Sequence, residues 1–379
     1  DPVAPPEEAP ARSTHPDPAF PPGQAPRPAV LLVNLGTPEG PTAPALRRYL
    51  GQFLSDPRVV EIPRLLWMPI LHGIILRVRP KKSAAKYASI WMPEGSPLRV
   101  WTEKQTKLLQ GFLGEMGHQV LVRHAMRYGE PAIGKALSAL KAEGATRILV
   151  VPLYPQYSGA TTASVMDEVF AWGRETRLLP ELRHINRFHD DAGYLDALAN
   201  SVRRHWQENG PLGDQGKLLM SFHGMPRRTL DLGDPYHCEC LKTGRLLAER
   251  LGLSREQYVV TFQSRFGKAK WLEPYTEPTL HALAKAGTAR VDVVCPGFVS
   301  DCIETLEEIA MEGKAAFLNS GGKTFHYIPC LNDQLDWMRA LGQLVEQHLQ
   351  GWPTRQEQLP SADTLSRQRD RALATGAKD

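Results

Sequence analysis

Short apolar runs that end in a polar residue or a glycine recur along the chain, and stretches with helical spacing separate them. AVLLVNLG (29–36), VLVRHAM (120–126) and RILVVPLYPQY (147–157) form a first set. KLLMSFHG (217–224), QYVVTFQSRFG (257–267), RVDVVCPGFVSD (290–301) and KTFHYIPCLND (323–333) form a second. A short run that is apolar on nearly every residue suits a strand covered on both faces, as in a parallel sheet. Helical spacing lies between the runs, around 98–115, 131–144, 241–252, 278–287, 302–312 and 333–350. Strands alternating with helices predict an α/β fold of βαβ units, with helices on both faces of the sheet. The 379 residues make two domains the default. The two halves share a rhythm, each opening on a buried strand, and this gives weak support for an internal duplication.

Ligands of open α/β sheets sit outside the carboxyl ends of the strands. Those ends carry Asn34, Gln156, His223, Gln263 and the stretch Phe298–Asp301. His223 precedes Gly224, which lets backbone approach a ligand, and an imidazole moves protons near neutral pH. The plainer account is a half-buried histidine that hydrogen-bonds a neighbour. After the run ending at Asp301, helical spacing places Glu304, Glu308 and Glu312 on one stripe. A solvated face is the usual explanation of such a run. Carboxylates near a histidine also match the ligand set of a loosely held divalent cation.

Other features exclude more than they assert. There is no GxGxxG, no GxxxxGK[ST] and no GxSxG, which disfavours a dinucleotide enzyme, a P-loop enzyme and an α/β-hydrolase. The net charge of +4 is too slight to point to nucleic acid, though it is compatible with an anionic membrane face. Five cysteines do not suggest a disulfide framework, so a reducing, cytoplasmic compartment is expected. Cys238 and Cys240 lack the second pair that structural zinc would want, and an ordinary thiol pair is the simpler reading. No run of 18 apolar residues is present. Residues 50–79 are apolar but broken by Pro69 and His72, and Arg64, Arg77 and Arg79 flank them. They read either as a buried helix pair or as an apolar lip facing a membrane or a large flat ligand.

Together, LLVNLGTPEG, KYASIWMPEGSPL, YPQYS, SFHGMP, TFQSRFG with WLEPYT, and CPGFVSDCIETLEEIA resemble the ferrochelatase family, in order and over about residues 29–350. More narrowly, they resemble the protoporphyrin-type enzymes of Gram-negative bacteria. The resemblance implies two similar Rossmann-like, chelatase-type domains with parallel sheets flanked by helices and a cleft between them. It implies a lyase that inserts Fe²⁺ into protoporphyrin IX, releasing two protons, in the last step of haem biosynthesis. His223 and Glu304 fall on the catalytic and metal-binding positions, and Asp301, Glu308 and Glu312 on a metal or proton path. Tyr87, Ser96, Arg79, Arg127, Phe298, Asn34 and Trp271 fall on porphyrin-binding positions, with Arg79, Arg127 and Ser96 holding propionates. Animal members carry histidine where this chain has Cys302. They also carry C-terminal cysteines for a [2Fe–2S] cluster; this chain has none after Cys330, so no cluster and no nucleotide cofactor are expected. The expected partners are protoporphyrin IX, Fe²⁺ and a peripheral contact with the inner face of the cytoplasmic membrane. A porphyrin carrier on the same fold, or a chelatase for another tetrapyrrole or metal, remains the alternative. The expected organisation is a disordered proline-rich tail over 1–28, domains over 29–185 and 186–332, a helix over 333–351 returning to the first domain, and a disordered tail over 352–379.

Overall fold

A computed structural model describes residues 21–377. The chain opens with β1 (Arg27–Gly36), α1 (Ala43–Ser55), α2 (Arg64–Ile70), a π turn over Leu71–Ile75, α3 (Leu76–Ile90) and α4 (Pro97–Glu115). It continues with β2 (Leu121–Tyr128), α5 (Ile133–Ala142), β3 (Ala145–Pro152), α6 (Ser164–Glu175) and β4 (Glu181–His184). After α7 (Ala192–Asn209) come β5 (Gly216–His223), α8 (Arg227–Asp231), α9 (Tyr236–Leu251), β6 (Tyr258–Gln263), α10 (Thr276–Lys285) and β7 (Arg290–Val294). α11 (Ile303–Leu306), a π turn over Glu308–Gly313, α12 (Lys314–Asn319), β8 (Thr324–Tyr327), α13 (Leu335–His348) and α14 (Ala362–Ala374) complete it.

Two four-stranded sheets result, ordered β2-β1-β3-β4 and β6-β5-β7-β8, with every pairing parallel. The halves therefore share one topology. In each, the chain crosses from the first strand to one side and returns to the other. The crevice lies at the carboxyl ends of those central strands, β1 and β3 in one half, β5 and β7 in the other.

The continuous apolar runs are explained by burial on both faces. Ala29, Leu31 and Val33 of β1 face α5 and α6, while Val30 and Leu32 face the opposite way. That second face belongs to a core continuous between the halves, in which Leu218, Met220 and Phe222 of β5 meet Tyr194, Trp337 and Leu341. α13 lies against α4 and α7 and so links the halves.

Three expectations need correction. The segment over 352–379 is not a tail as far as Ala377. Trp352 is buried and donates its indole N–H to Glu181, the guanidinium of Arg183 stacks on its ring at 4.3 Å, and Thr354 bonds His118 at 2.7 Å. Ser361 then caps α14. The polar composition concealed this because one tryptophan anchors the segment. At the other end, residues 1–20 lie outside the described residues, but Arg27 and Pro28 already pair with β3. Finally, the helix over 302–312 is not regular: one α turn gives way to π winding, which shifts the faces of the glutamates that follow. β4 escaped the sequence reading because this four-residue strand, Glu-Leu-Arg-His, has no apolar run.

Candidate active site

A cavity of about 680 Å³ opens where the crevices of the two halves meet. Its volume lies within the usual range for small-molecule sites, about 300–1,000 Å³. Large apolar and aromatic side chains make most of its wall, including Phe53, Trp67, Ile75, Leu98, Met225 and Ile303. Asn34, Arg79, Tyr87, Ser96, His223, Trp271, Phe298 and Glu304 all line it. Eight residues chosen from sequence thus converge from both halves.

His223 ends β5, with its backbone C=O accepting the Tyr236 hydroxyl at 2.8 Å. Its Nδ1 lies 2.6 Å from the Gly224 carbonyl oxygen. A carbonyl only accepts, so Nδ1 carries the proton in that contact and the neutral ring keeps its lone pair on Nε2. Gly224 is required by close packing: a Cβ there would lie 2.6 Å from the Gln263 carbonyl oxygen and 3.1 Å from the Trp271 ring. Phe298 follows β7, and its ring centre lies 6.4 Å from that of His223.

Glu304 sits in α11, and Gln263 holds its backbone carbonyl at 2.7 Å. Its carboxylate adds to the burial that pushes the hydroxyls of Tyr87 and Tyr49 well above the usual tyrosine range. Burial likewise pushes the Cys302 thiol up, so this cysteine lines the cavity as a neutral thiol. Tyr87 on α3 is held edge-on by Trp91.

The acidic stripe divides. Glu308 and Glu312 line a neighbouring cavity of about 310 Å³ with Ser264, Glu277 and His281. Glu308 accepts from the Ser264 backbone N–H at 2.7 Å and from its hydroxyl at 2.5 Å, while burial pushes its carboxyl up. Glu312 and Glu307 share Lys86, at 2.8 and 3.0 Å.

Asp301 takes neither direction. It is buried and accepts from Thr305 at 2.8 Å, Asn332 at 2.7 Å and the Tyr327 hydroxyl. With its oxygens filled, it braces the turn before α11 and touches neither cavity. Its place in the sequence beside Glu304 had suggested a path residue.

Arg127 also departs from expectation. Its guanidinium pairs with Asp56 at 2.9 Å, bonds the Ser164 carbonyl and hydroxyl at 3.0 and 2.7 Å, and covers the Tyr128 ring. Only 13% of that side chain is exposed. It joins the end of α1 to the start of α6 and does not line the cavity.

Arg79 presents the opposite case. Burial lowers its pKa, its guanidinium lies 6.0 Å from the Phe266 ring centre, and no carboxylate pairs with it among the described residues. An exposed, unpaired cation at the rim of an apolar cavity suits an anionic substituent of the ligand. Ser96 accepts the Arg99 N–H as the cap of α4, and its own hydroxyl proton stays available. The Asn34 amide ties the end of β1 to Thr102 and to the Leu35 N–H. Trp271 packs edge-on against Phe266 as a wall.

Sequence reasoning missed Tyr49, Arg58, Tyr154 and Arg228 of the lining. Tyr154 lies in the YPQYS motif, and its buried hydroxyl has no partner among the described residues. The others carry no local signal, because their place at the cavity depends on how helices return to it.

Residues 50–79 divide between the two readings: Leu50, Leu54, Val60, Leu71 and Leu76 are buried in a core cluster, while other apolar side chains of the segment are exposed. Leu65 is 92% and Val78 71% exposed, with Leu66, Ile70 and Ile74 beside them. No helix among the described residues is long and apolar enough to cross a membrane. Cys238 is exposed on α9 and Cys240 buried. A trio competent for metal, His205, Asp292 and His326, lies outside both cavities. Arg290, Trp206 and His326 already fill the oxygens of Asp292, at 2.9 Å each, so the trio reads as a hydrogen-bonded knot.

Comparison with known proteins agrees with this architecture. The chain covers 85% of its length on SirB from Bacillus subtilis with Fe³⁺, at TM-score 0.50 and 13% identity, with 95% of that chain matched; this is a likeness of fold. The ferrochelatase family model matches residues 27–349. The ferrochelatase of Methylibium petroleiphilum is 65% identical over 363 residues, covering 96% of this chain and 99% of the relative. That of Polaromonas sp. is 63% identical over 366 residues, covering 96% and 98%. A match of this length, carried by both halves and by the cavity between them, establishes that the chain belongs to the ferrochelatase family.

Proposed function

We propose that the protein is a protoporphyrin ferrochelatase, a lyase that inserts Fe²⁺ into protoporphyrin IX to give protohaem and two protons. The observation that carries this reading is the free Nε2 lone pair of His223, at the same apolar cavity as Glu304. Metalation exchanges two pyrrole N–H protons for one dication. His223 is the proton acceptor: its neutral tautomer is set by Gly224, and the Nε2 lone pair is placed to take a proton. Glu304 is the carboxylate that meets the ion or the leaving protons. Glu308 and Glu312, in the neighbouring cavity, form the path toward it. Few and loosely held N and O donors suit delivery, since a closed cage would retain the metal.

Tyr87, Phe298, Trp271 and Asn34 hold the macrocycle, and Arg79 and Ser96 take propionate. The first domain to about residue 185 supplies the lip, and the domain over 186–332 supplies the proton acceptor. The lip rests on the inner face of the cytoplasmic membrane, where its leucines enter the headgroup region and Arg64 and Arg77 meet anionic lipid. The carrier reading is disfavoured because a carrier has no need of Glu304 and the acidic cavity behind it.

Anaerobic insertion of Fe²⁺ into protoporphyrin IX, with Zn²⁺ as an air-stable check, tests the assignment through loss of free-porphyrin fluorescence. His223→Ala should lower turnover about 10²–10⁴-fold while porphyrin still binds. Full activity in that variant would remove His223 from the mechanism. Binding by the wild type without turnover would favour the carrier.

A further inference from the structure

We propose that Arg228 and Glu61 form a carboxylate-exchange latch across the cavity mouth, in which a porphyrin propionate displaces Glu61 from Arg228. The inference rests on the porphyrin-metalating reading and adds to it a determinant of substrate charge. Arg228 lies on α8, just beyond His223 in the chain, and Glu61 lies between α1 and α2 at the root of the lip. Their side chains meet at 3.2 Å across a sequence separation of 167, and both line the cavity. The contact therefore joins the wall bearing the proton acceptor to the opposite, apolar wall.

The pair is built to exchange. It is a single contact from Nε, and the Nη groups of Arg228 have no partner among the described residues. The side chains are 64% and 42% exposed, and exposed pairs of this kind are weak because solvent screens them. Arg58, another cation at the cavity, is differently committed: both Nε and Nη2 engage Asp167, and its pKa is raised by that bond. A fork already bound at two points resists capture by a ligand. Arg228 keeps its fork open, and Glu61 presents to it the same functional group that a propionate would. Substituting one carboxylate for another keeps Arg228 paired throughout, and the displaced Glu61, 42% exposed, passes to solvent.

The test measures Zn²⁺ insertion into protoporphyrin IX and into its dimethyl ester, in one detergent, for wild type, Arg228→Gln and Glu61→Gln. Arg228→Gln should raise KM for the free acid about tenfold, the scale of one charge-assisted hydrogen bond, with the effect on KM rather than kcat. The ester KM should hold. Glu61→Gln should lower KM for the free acid about two- to fivefold, because the competing carboxylate is gone. A merely structural clamp would move KM in the same direction in both variants and equally for both substrates, and that result would overturn the latch. An unchanged KM in Arg228→Gln would overturn it as well. Absence of insertion by the wild type would instead remove the underlying reading of the site.

Discussion

The two halves of the molecule share a strand order and differ in one connection. In the first half, residues 37–120 run from β1 to β2 and include α1 through α4. In the second, the equivalent connection, residues 224–257, holds only α8 and α9. The long connection builds the lip, Arg79, Tyr87 and Ser96. The short one leaves the end of β5 close to the cavity, so His223 stands almost directly on the sheet, and the turn after β7 brings Phe298 and Glu304 beside it. One scaffold thus carries two tasks. Apolar wall area comes from added helices, and His223 comes from a strand end, where backbone hydrogen bonds fix its position; under the proposed reading these are the ligand-holding and the proton-accepting parts.

The sharpest way to break this comparison is to remove chemistry from the second half alone. Glu304→Gln should lower kcat about 100-fold or more with little change in porphyrin affinity, measured by quenching of porphyrin fluorescence. An equal loss in affinity and rate would mean that Glu304 belongs to the binding wall rather than to the reaction. Next in size is Arg127→Ala in the first half. Asp56 is 2% exposed and would lose its cation, at a cost of about 3 kcal/mol in denaturant unfolding. KM for porphyrin should be unchanged; a raised KM would return Arg127 to the binding site.

That pair also sets an acid dependence. Hydrogen bonds from Ser164 and Tyr128 and the charge of Arg127 outweigh burial and hold Asp56 below the usual aspartate range. A lowered folded-state pKa adds stability that is complete above the unfolded value, about pH 4, and is lost as pH falls through the lowered one. Arg127→Ala should therefore shift acid unfolding to higher pH.

Asp301→Asn should cost about 2 kcal/mol through its three buried hydrogen bonds. Insertion kinetics should hold at temperatures where the variant is folded, in contrast to Glu304→Gln three residues later. The smallest effect on folding is expected at the lip. Changing Leu65, Leu66 and Ile70 together to serine should leave the unfolding midpoint within about 0.5 kcal/mol, because these side chains are exposed. Flotation with anionic liposomes should weaken several-fold, and undiminished flotation would place the membrane contact elsewhere.

Much of the fold was legible because its signals are local. Runs such as Ala29–Val33 are apolar on both faces, and that pattern allows few environments. Much of the site was legible for a related reason: a short motif at a strand end, SFHGMP, places His223 whatever the helices do. The misread residues share the opposite property. Arg127 is claimed by Asp56, 71 positions away, and Asp301 by Asn332, 31 positions away. Arg228 was not singled out, because its neighbour Glu61 is separated from it by 167 positions. The segment after Gly351 looked unstructured until Trp352 met Glu181 and Arg183.

The sequence by itself determined the alternation of strands and helices, the family, and the strand ends from which His223 and Phe298 reach the cavity. Only the tertiary structure decided which charges are free to meet a substrate. A strand's environment is written in consecutive side chains, whereas the availability of a guanidinium or carboxylate depends on distant partners that folding brings within hydrogen-bonding distance. π winding after Leu306 was likewise decided in three dimensions: it sends Glu304 to one cavity and Glu308 and Glu312 to the next, although regular helical spacing would align them.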